Sequence, residues 1–140
     1  MKKAVSKLTR MTGNNFLLDT NIISEWLKGD SAIADKIDQA ETIYIPAIVV
    51  GEMYYGAQYS TQVEKNIENI TRLTERYPIL HVNASTAALY GIIKAALRKK
   101  GKPIPENDIW IAAIAQQYSL PLITRDRHFN EIDRITMLEW

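Results

Sequence analysis

The sequence predicts an α/β fold in which helices cover a largely parallel β-sheet. Two observations predict it. Short apolar runs alternate with amphipathic stretches of helical period along the chain, the pattern of β-α units rather than of hairpins. The joints between them carry Asp, Asn, Gly and Pro, residues that start or stop helices for known stereochemical reasons.

Phe16 to Asp19 is the first strand, and Thr20-Asn21 then caps a helix carrying Ile22, Ile23, Trp26 and Leu27 that Lys28-Gly29 stops. Asp30 or Ser31 caps a second short helix, and Ile43, Tyr44 and Ile45 form the next strand. Pro46 suits the first turn of the helix that follows, where a missing N–H leaves nothing unpaired. Ile48, Glu52, Tyr55 and Tyr59 recur there at helical spacing, so they are expected to form its apolar face with Glu52 upon it. Thr61 to Tyr77 reads as a helix that buries Ile67, Ile70 and Leu73 and ends before Pro78. Ile79 to Val82, including His81, reads as a strand.

Asn83 caps a long helix from Ala84 to Lys100, stopped by Gly101 and Pro103. The cations of its last turn, Arg98, Lys99 and Lys100, complement the negative end of the helix dipole, with phosphate binding as the alternative. Pro105 opens a helix whose stripe of Ile111, Ala112 and Ala115 begins at Asp108. Leu120 to Thr124 is a strand that runs straight into Asp126, and Arg134 to Leu138 alternates as a last edge strand.

The chain's 140 residues, 46% of them hydrophobic, suffice for one domain with one core. No apolar run approaches the roughly 20 residues of a membrane helix, so a soluble protein is expected. The absence of cysteine removes disulfides and thiolate zinc sites and suits a reducing cytoplasm. Residues 1–14 are expected to be a flexible basic extension, and residues 15–140 the folded domain. Four of the 17 basic residues, Lys2, Lys3, Lys7 and Arg10, lie in that extension, so the remaining 13 face all 16 acidic residues and the body is formally −3. Overall charge does not advertise a nucleic-acid binder, and any such binding must rest on local cations or on metal ions that reverse the sign of an acidic pocket.

Four acids stand where a charge has no structural reason to be. Asp19 and Asp126 end apolar strands, while Glu52 and Asp108 interrupt helical apolar stripes. Ligands of open parallel sheets gather beyond the carboxyl ends of the strands, so one crevice can collect all four. Their mutual repulsion there calls for a cation. Oxygen ligands without His or Cys favour Mg²⁺ or Mn²⁺, and an ion so held activates water and stabilises the charge of phosphodiester displacement. Spacing alone does not separate a nuclease from a phosphatase.

Phe16-Leu-Leu-Asp-Thr-Asn21, Pro46-Ala-Ile-Val-Val-Gly-Glu52, Asn107-Asp-Ile-Trp-Ile-Ala-Ala113 and Leu122-Ile-Thr-Arg-Asp-Arg-His-Phe129 together resemble the PIN domain family, most closely its VapC-type toxin ribonucleases. The resemblance implies a Rossmann-like, three-layer α/β/α fold with a mostly parallel five-stranded sheet and an Mg²⁺- or Mn²⁺-dependent endoribonuclease site. It implies that Asp19, Glu52 and Asp108 bind the metal, that Asp126 is the more variable fourth acid, that Asn21 orients a carboxylate or water, and that Thr124 places a hydroxyl near the metal. It further implies a homodimer, a VapB-type antitoxin partner, and an RNA substrate that is single-stranded or a structured loop. Chains of this kind commonly open close to the first strand, so either Met11 is the initiator or the basic extension touches RNA or the partner.

Two rival functions are weighed against this. A phosphatase with an aspartyl nucleophile needs a second Asp two residues on, where this chain has Asn21. A PIN-like module that binds RNA or protein without cleavage would be marked by loss of the acids, and all four are present. The histidines share no ligand spacing, which speaks against zinc, and His128 with Arg125 and Arg127 is read as a solvated loop, a phosphate contact being the alternative. Tyr54, Tyr55 and Tyr59 are expected in core or dimer packing, with base stacking as the other use.

Overall fold

The computed structural model describes residues 14–140. The expected extension, residues 1–14, lies outside them except for Asn14, whose carbonyl accepts the N–H of Glu41 at 2.8 Å. Strand β1 (Asn15–Leu18) leads into α1 (Thr20–Leu27) and α2 (Ser31–Gln39), then β2 (Thr42–Pro46), α3 (Ala47–Gln58) and α4 (Val63–Arg76). After β3 (Ile79–Leu80) come α5 (Ala84–Lys100), α6 (Glu106–Gln117), β4 (Leu122–Ile123), a 3-10 turn (Arg127–Glu131) and β5 (Met137–Leu138). The sheet runs β3-β2-β1-β4-β5 and every pairing is parallel. This is the expected three-layer, five-stranded arrangement.

The central strands are buried on both faces, as parallel sheets require: Leu17, Leu18, Ile45, Leu122 and Ile123 are fully buried. α6 is enclosed nearly all round, with Ile109, Ile111, Ala112, Ala113, Ile114 and Ala115 buried. Its small residues allow the close approach of α5 on one side and α3 on another. The chain leaves β1 toward β2 and returns on the opposite side as β4. Strand order therefore reverses between β1 and β4, and a crevice opens at their carboxyl ends.

Several expectations are corrected. The first helix is capped by Asp19, whose side chain accepts the Thr20 N–H, rather than by Thr20-Asn21. The buried stripe of α3 is Val49, Met53 and Ala57, whereas Tyr55 and Tyr59 are 68% and 83% exposed. Both stripes of this helix are apolar, and the core takes the compact aliphatic one, leaving the tyrosines, whose hydroxyls favour water, outside. Glu52 consequently sits half-buried at the margin of the core stripe. β3 stops at Leu80, so His81 is an exposed loop residue. Leu80 pairs with Pro46, after which β2 turns into α3, leaving β3 no further partner. β4 and β5 are likewise shorter than their apolar runs.

The ends of α2 and α5 behave as the sequence foretells. Asp30 caps α2 by accepting the Ile33 N–H at 3.1 Å. Asn83 and Thr86 form a reciprocal capping box on α5, and Gly101 ends that helix in the left-handed region at φ 66°. The Asn83 Oδ1 also accepts from Gln117 Nε2 at 3.0 Å, tying α5 to α6. Asn83→Ala is expected to lower stability by about 1–2 kcal/mol, since both the cap and the tie are lost; urea denaturation measures it, and an unchanged midpoint would refute it. Lys100 in the last turn of α5 donates to the Glu131 carbonyl at 2.9 Å and pairs with Asp133 at 3.6 Å, so this cation joins α5 to the chain after the 3-10 turn. Among the described residues, no helix is long and apolar enough to cross a membrane.

Candidate active site

The crevice between β1 and β4 gathers four carboxylates from four segments. Asp19 follows β1 and is 4% exposed; Asp108, in the first turn of α6, is 9% exposed. Asp126 caps the 3-10 turn after β4, its side chain accepting the His128 N–H. Glu52 reaches in from α3, and the Thr20 hydroxyl donates to its Oε1 at 2.8 Å.

Asp19 is held by three donors. Its Oδ1 accepts the Thr20 N–H at 2.8 Å, and its Oδ2 accepts the Thr124 hydroxyl at 2.8 Å and the Asn21 amide at 3.1 Å. The same Thr124 oxygen accepts the Asp126 N–H at 3.0 Å, and Asn21 Oδ1 accepts the Arg125 N–H at 3.1 Å. Two short polar side chains thus lock the loop after β4 to the loop after β1. Asn21 thus contacts the Asp19 carboxylate, and the Thr124 hydroxyl lies between Asp19 and the Asp126 backbone.

The electrostatics of the cluster are strained. Burial pushes the Asp19 carboxyl up against the opposing pull of its hydrogen bonds from Thr124 and Thr20, with the charges of Glu52 and Asp126 adding to the rise. Burial also pushes Asp108 up to about 6, reinforced by Asp19 and Asp126 and opposed by His128. No Lys or Arg among the described residues forms an ion pair with any of the four. Clustered, partly buried oxygen donors without a fixed counter-charge are a donor set suited to a hard divalent cation. The residues present therefore fit such an ion.

Residues 16–135 match the family described as PIN domain. This chain belongs to the PIN domain family. Ribonuclease VapC2 of Haemophilus influenzae is 38% identical over 128 residues, which are 89% of this chain and 97% of that protein. The solved structure of VapBC-1 from nontypeable Haemophilus influenzae has a TM-score of 0.83 at 33% identity, covering 90% of this chain and 98% of that one. DNA-bound VapBC from Salmonella typhimurium has a TM-score of 0.85 at 29% identity over the same shares.

Within this PIN domain the structure brings all four sequence-predicted acids together, with Asn21 and Thr124 between them. It also adds His128, which the sequence reading left in a solvated loop. The His128 Nδ1 lies 3.0 Å from Asp126 Oδ1 and 3.3 Å from Asp108 Oδ2. The signal was present in Asp126-Arg-His128-Phe129: a capping Asp two residues ahead of a histidine folds that histidine back toward its carboxylate, and a buried aromatic next to it fixes the turn. Arg125 departs from its expected grouping with His128. Its guanidinium donates to the Trp140 carbonyl at 2.9 Å and pairs with Asp30 at 3.7 Å, so it braces the chain end.

Thr124→Val removes the hydroxyl that joins Asp19 to Asp126 while keeping the branched shape. A loss of about 10- to 100-fold in divalent-ion affinity is expected, in line with other residues that orient metal ligands. Calorimetric titration with Mn²⁺ measures this, and wild-type affinity in the variant would contradict it.

Proposed function

We propose that this PIN-domain protein is an RNA-cleaving hydrolase, the VapC-type toxin of a toxin-antitoxin pair, and that its endonucleolytic cutting depends on Mg²⁺ or Mn²⁺ held by Asp19, Glu52, Asp108 and Asp126. The convergence of four carboxylates at the strand-order reversal, with no Lys or Arg among the described residues paired to them, carries this reading. The bound cation would polarise the phosphodiester and activate water. Around it Asp19 is kept in one orientation by Thr20, Asn21 and Thr124, Thr20 holds Glu52, and Asp126 would complete the site or help to orient the attacking water.

RNA in single-stranded or loop form suits the surface beside the acids. Tyr55 and Tyr59 follow Glu52 by one and two turns of α3, with ring centroids 5.7 Å apart. Each base stacked there would contribute about 1–3 kcal/mol. Tyr59→Ala should weaken binding of a single-stranded oligonucleotide by about tenfold without lowering the melting temperature; equal binding in a fluorescence titration would remove the tyrosines from the substrate path.

The partner belongs to the same reading. A VapB-type antitoxin that presents an arginine to these acids would exploit charge-assisted pairing and exclude the cation. A groove of about 450 Å³ leads away from Thr20 and Glu52, lined by Met53, Ala57 and Ile70, and offers an apolar seat for the segment that carries the arginine. A complex that still bound Mn²⁺ and cut RNA at the free protein's rate would refute this. A homodimer completes the proposal, and sedimentation giving a monomer at micromolar concentration would count against it.

The deciding experiment is incubation of the purified, antitoxin-free chain with total RNA, with Mg²⁺ or with chelator, and mapping of new 5′ ends. Ends that need the metal and vanish in Asp19→Asn are expected. Their absence would leave a PIN-like binding module.

A further inference from the structure

We infer that His128 is a nitrogen ligand for the cation of this site, forming with Asp108 and Asp126 a mixed nitrogen–oxygen position that favours Mn²⁺ over Mg²⁺. The inference rests on the metal-dependent reading above and extends it from an all-oxygen donor set to one that discriminates between ions.

Geometry is the first support. One donor atom each from Asp108, Asp126 and His128 lies within 4.8 Å of the other two. The Nδ1 stands 3.0 Å from Asp126 Oδ1 and 3.3 Å from Asp108 Oδ2. Donors at about 2.1 Å from an ion, arranged at right angles as in octahedral coordination, stand about 3 Å from one another. The spacing of the imidazole nitrogen from each carboxylate, a hydrogen-bond distance as it stands, is also that of neighbouring ligands on a small cation.

The backbone then shows why the imidazole is there. Asp126 caps the 3-10 turn by accepting the His128 N–H at 3.0 Å, so carboxylate and histidine are set by one turn. Phe129, the next residue, is 0% exposed and anchors that turn in the core. Asp108 enters from the first turn of α6, a separate element. The His128 side chain is 53% exposed and that of Asp108 12%, which leaves the imidazole open to solvent on one side while Nδ1 faces the acids.

The chemistry of the donors gives the selectivity. Imidazole suits first-row transition ions, whereas Mg²⁺ is held by oxygen and retains its water. A different role for the same contact predicts the opposite sign: if His128 served as the counter-charge standing where the cation goes, its removal would tighten metal binding.

The test uses the full chain loaded with Mn²⁺ and electron spin echo envelope modulation, which detects a directly coordinated ¹⁴N. The chain has two histidines, and His81 is exposed in the loop after β3, so the signal can be assigned. A ¹⁴N modulation should be present in the wild type and in His81→Gln and absent in His128→Gln. The last variant should bind Mn²⁺ about tenfold more weakly and Mg²⁺ within about twofold of wild type. Manganese bound without nitrogen modulation, or bound equally or more tightly by His128→Gln, would overturn the inference while leaving metal-dependent cutting intact. Failure of the wild type to bind Mn²⁺ at all would overturn both.

Discussion

Asp19→Asn is expected to lower RNA cleavage by about 10³-fold or more, because several kcal/mol of charge stabilisation goes with the ion at about 1.4 kcal/mol per tenfold. The fold should survive. An asparagine can still accept the Thr20 N–H that starts α1, and loss of the charge relieves repulsion from Glu52 and Asp126 that Asp19 now bears. The measurement pairs single-turnover cutting of an RNA oligonucleotide with a thermal melt in the presence and absence of Mn²⁺. Binding of the ion to the folded state alone raises the melting temperature of the wild type, and that rise should vanish in the variant together with cutting. An Asp19→Asn protein that cut normally would remove the metal assignment. One that had lost its fold would leave Glu52→Gln, on the half-buried margin of α3, to decide the matter.

Asp108→Asn should do two opposite things: abolish cutting and stabilise the protein when no metal is present. The folded carboxyl titrates near 6 against 3.8 for the free group. The native state therefore holds this proton more tightly than the unfolded chain does. Its contribution to stability is fully present below about pH 4 and is lost as pH rises through about 6. At about 1.4 kcal/mol per tenfold change in proton affinity the ceiling is about 3 kcal/mol, and side-chain relaxation makes about 1–2 kcal/mol the expected gain for Asn at neutral pH. Urea titrations with chelator present, at about pH 4 and about pH 7.5, should show the variant's advantage only at the higher value. Equal stability at both would mean that Asp108 is not strained by its neighbours.

These two outcomes describe a site built against the stability of its own fold, and that strain is what made part of it readable. Asp19 and Asp126 could be found because each ends a run that must be buried on both faces, where an acid has no packing role. Asp108 could be found because it heads the stripe of a helix that turned out to be enclosed nearly all round. Glu52 does lie beside Asp19 in the crevice, but not on the face that its stripe predicts. α3 has apolar side chains on most sides, so its period is the same for two phases, and only contact with the sheet chooses Val49, Met53 and Ala57 over Ile48, Tyr55 and Tyr59. The length of β3 was not readable from Ile79–Val82 either, since it depends on Pro46 in another strand. His128 shows the same limit at the level of chemistry. Its meeting with Asp108 requires the 3-10 turn and α6 to be placed against each other, and nothing in a four-residue motif records that.

The hydrogen bond from Thr124 to Asp19 spans 105 positions of the chain. During synthesis Asp19 emerges early and β1 stays without its β4 neighbour until Leu122 and Ile123 have left the ribosome. A parallel pairing of such separation forms late. A chain still being translated consequently has its first acid but not the loop that orients it. On the proposed reading, cutting begins only once β4 has paired with β1, and an inhibitor has no complete surface to recognise before then.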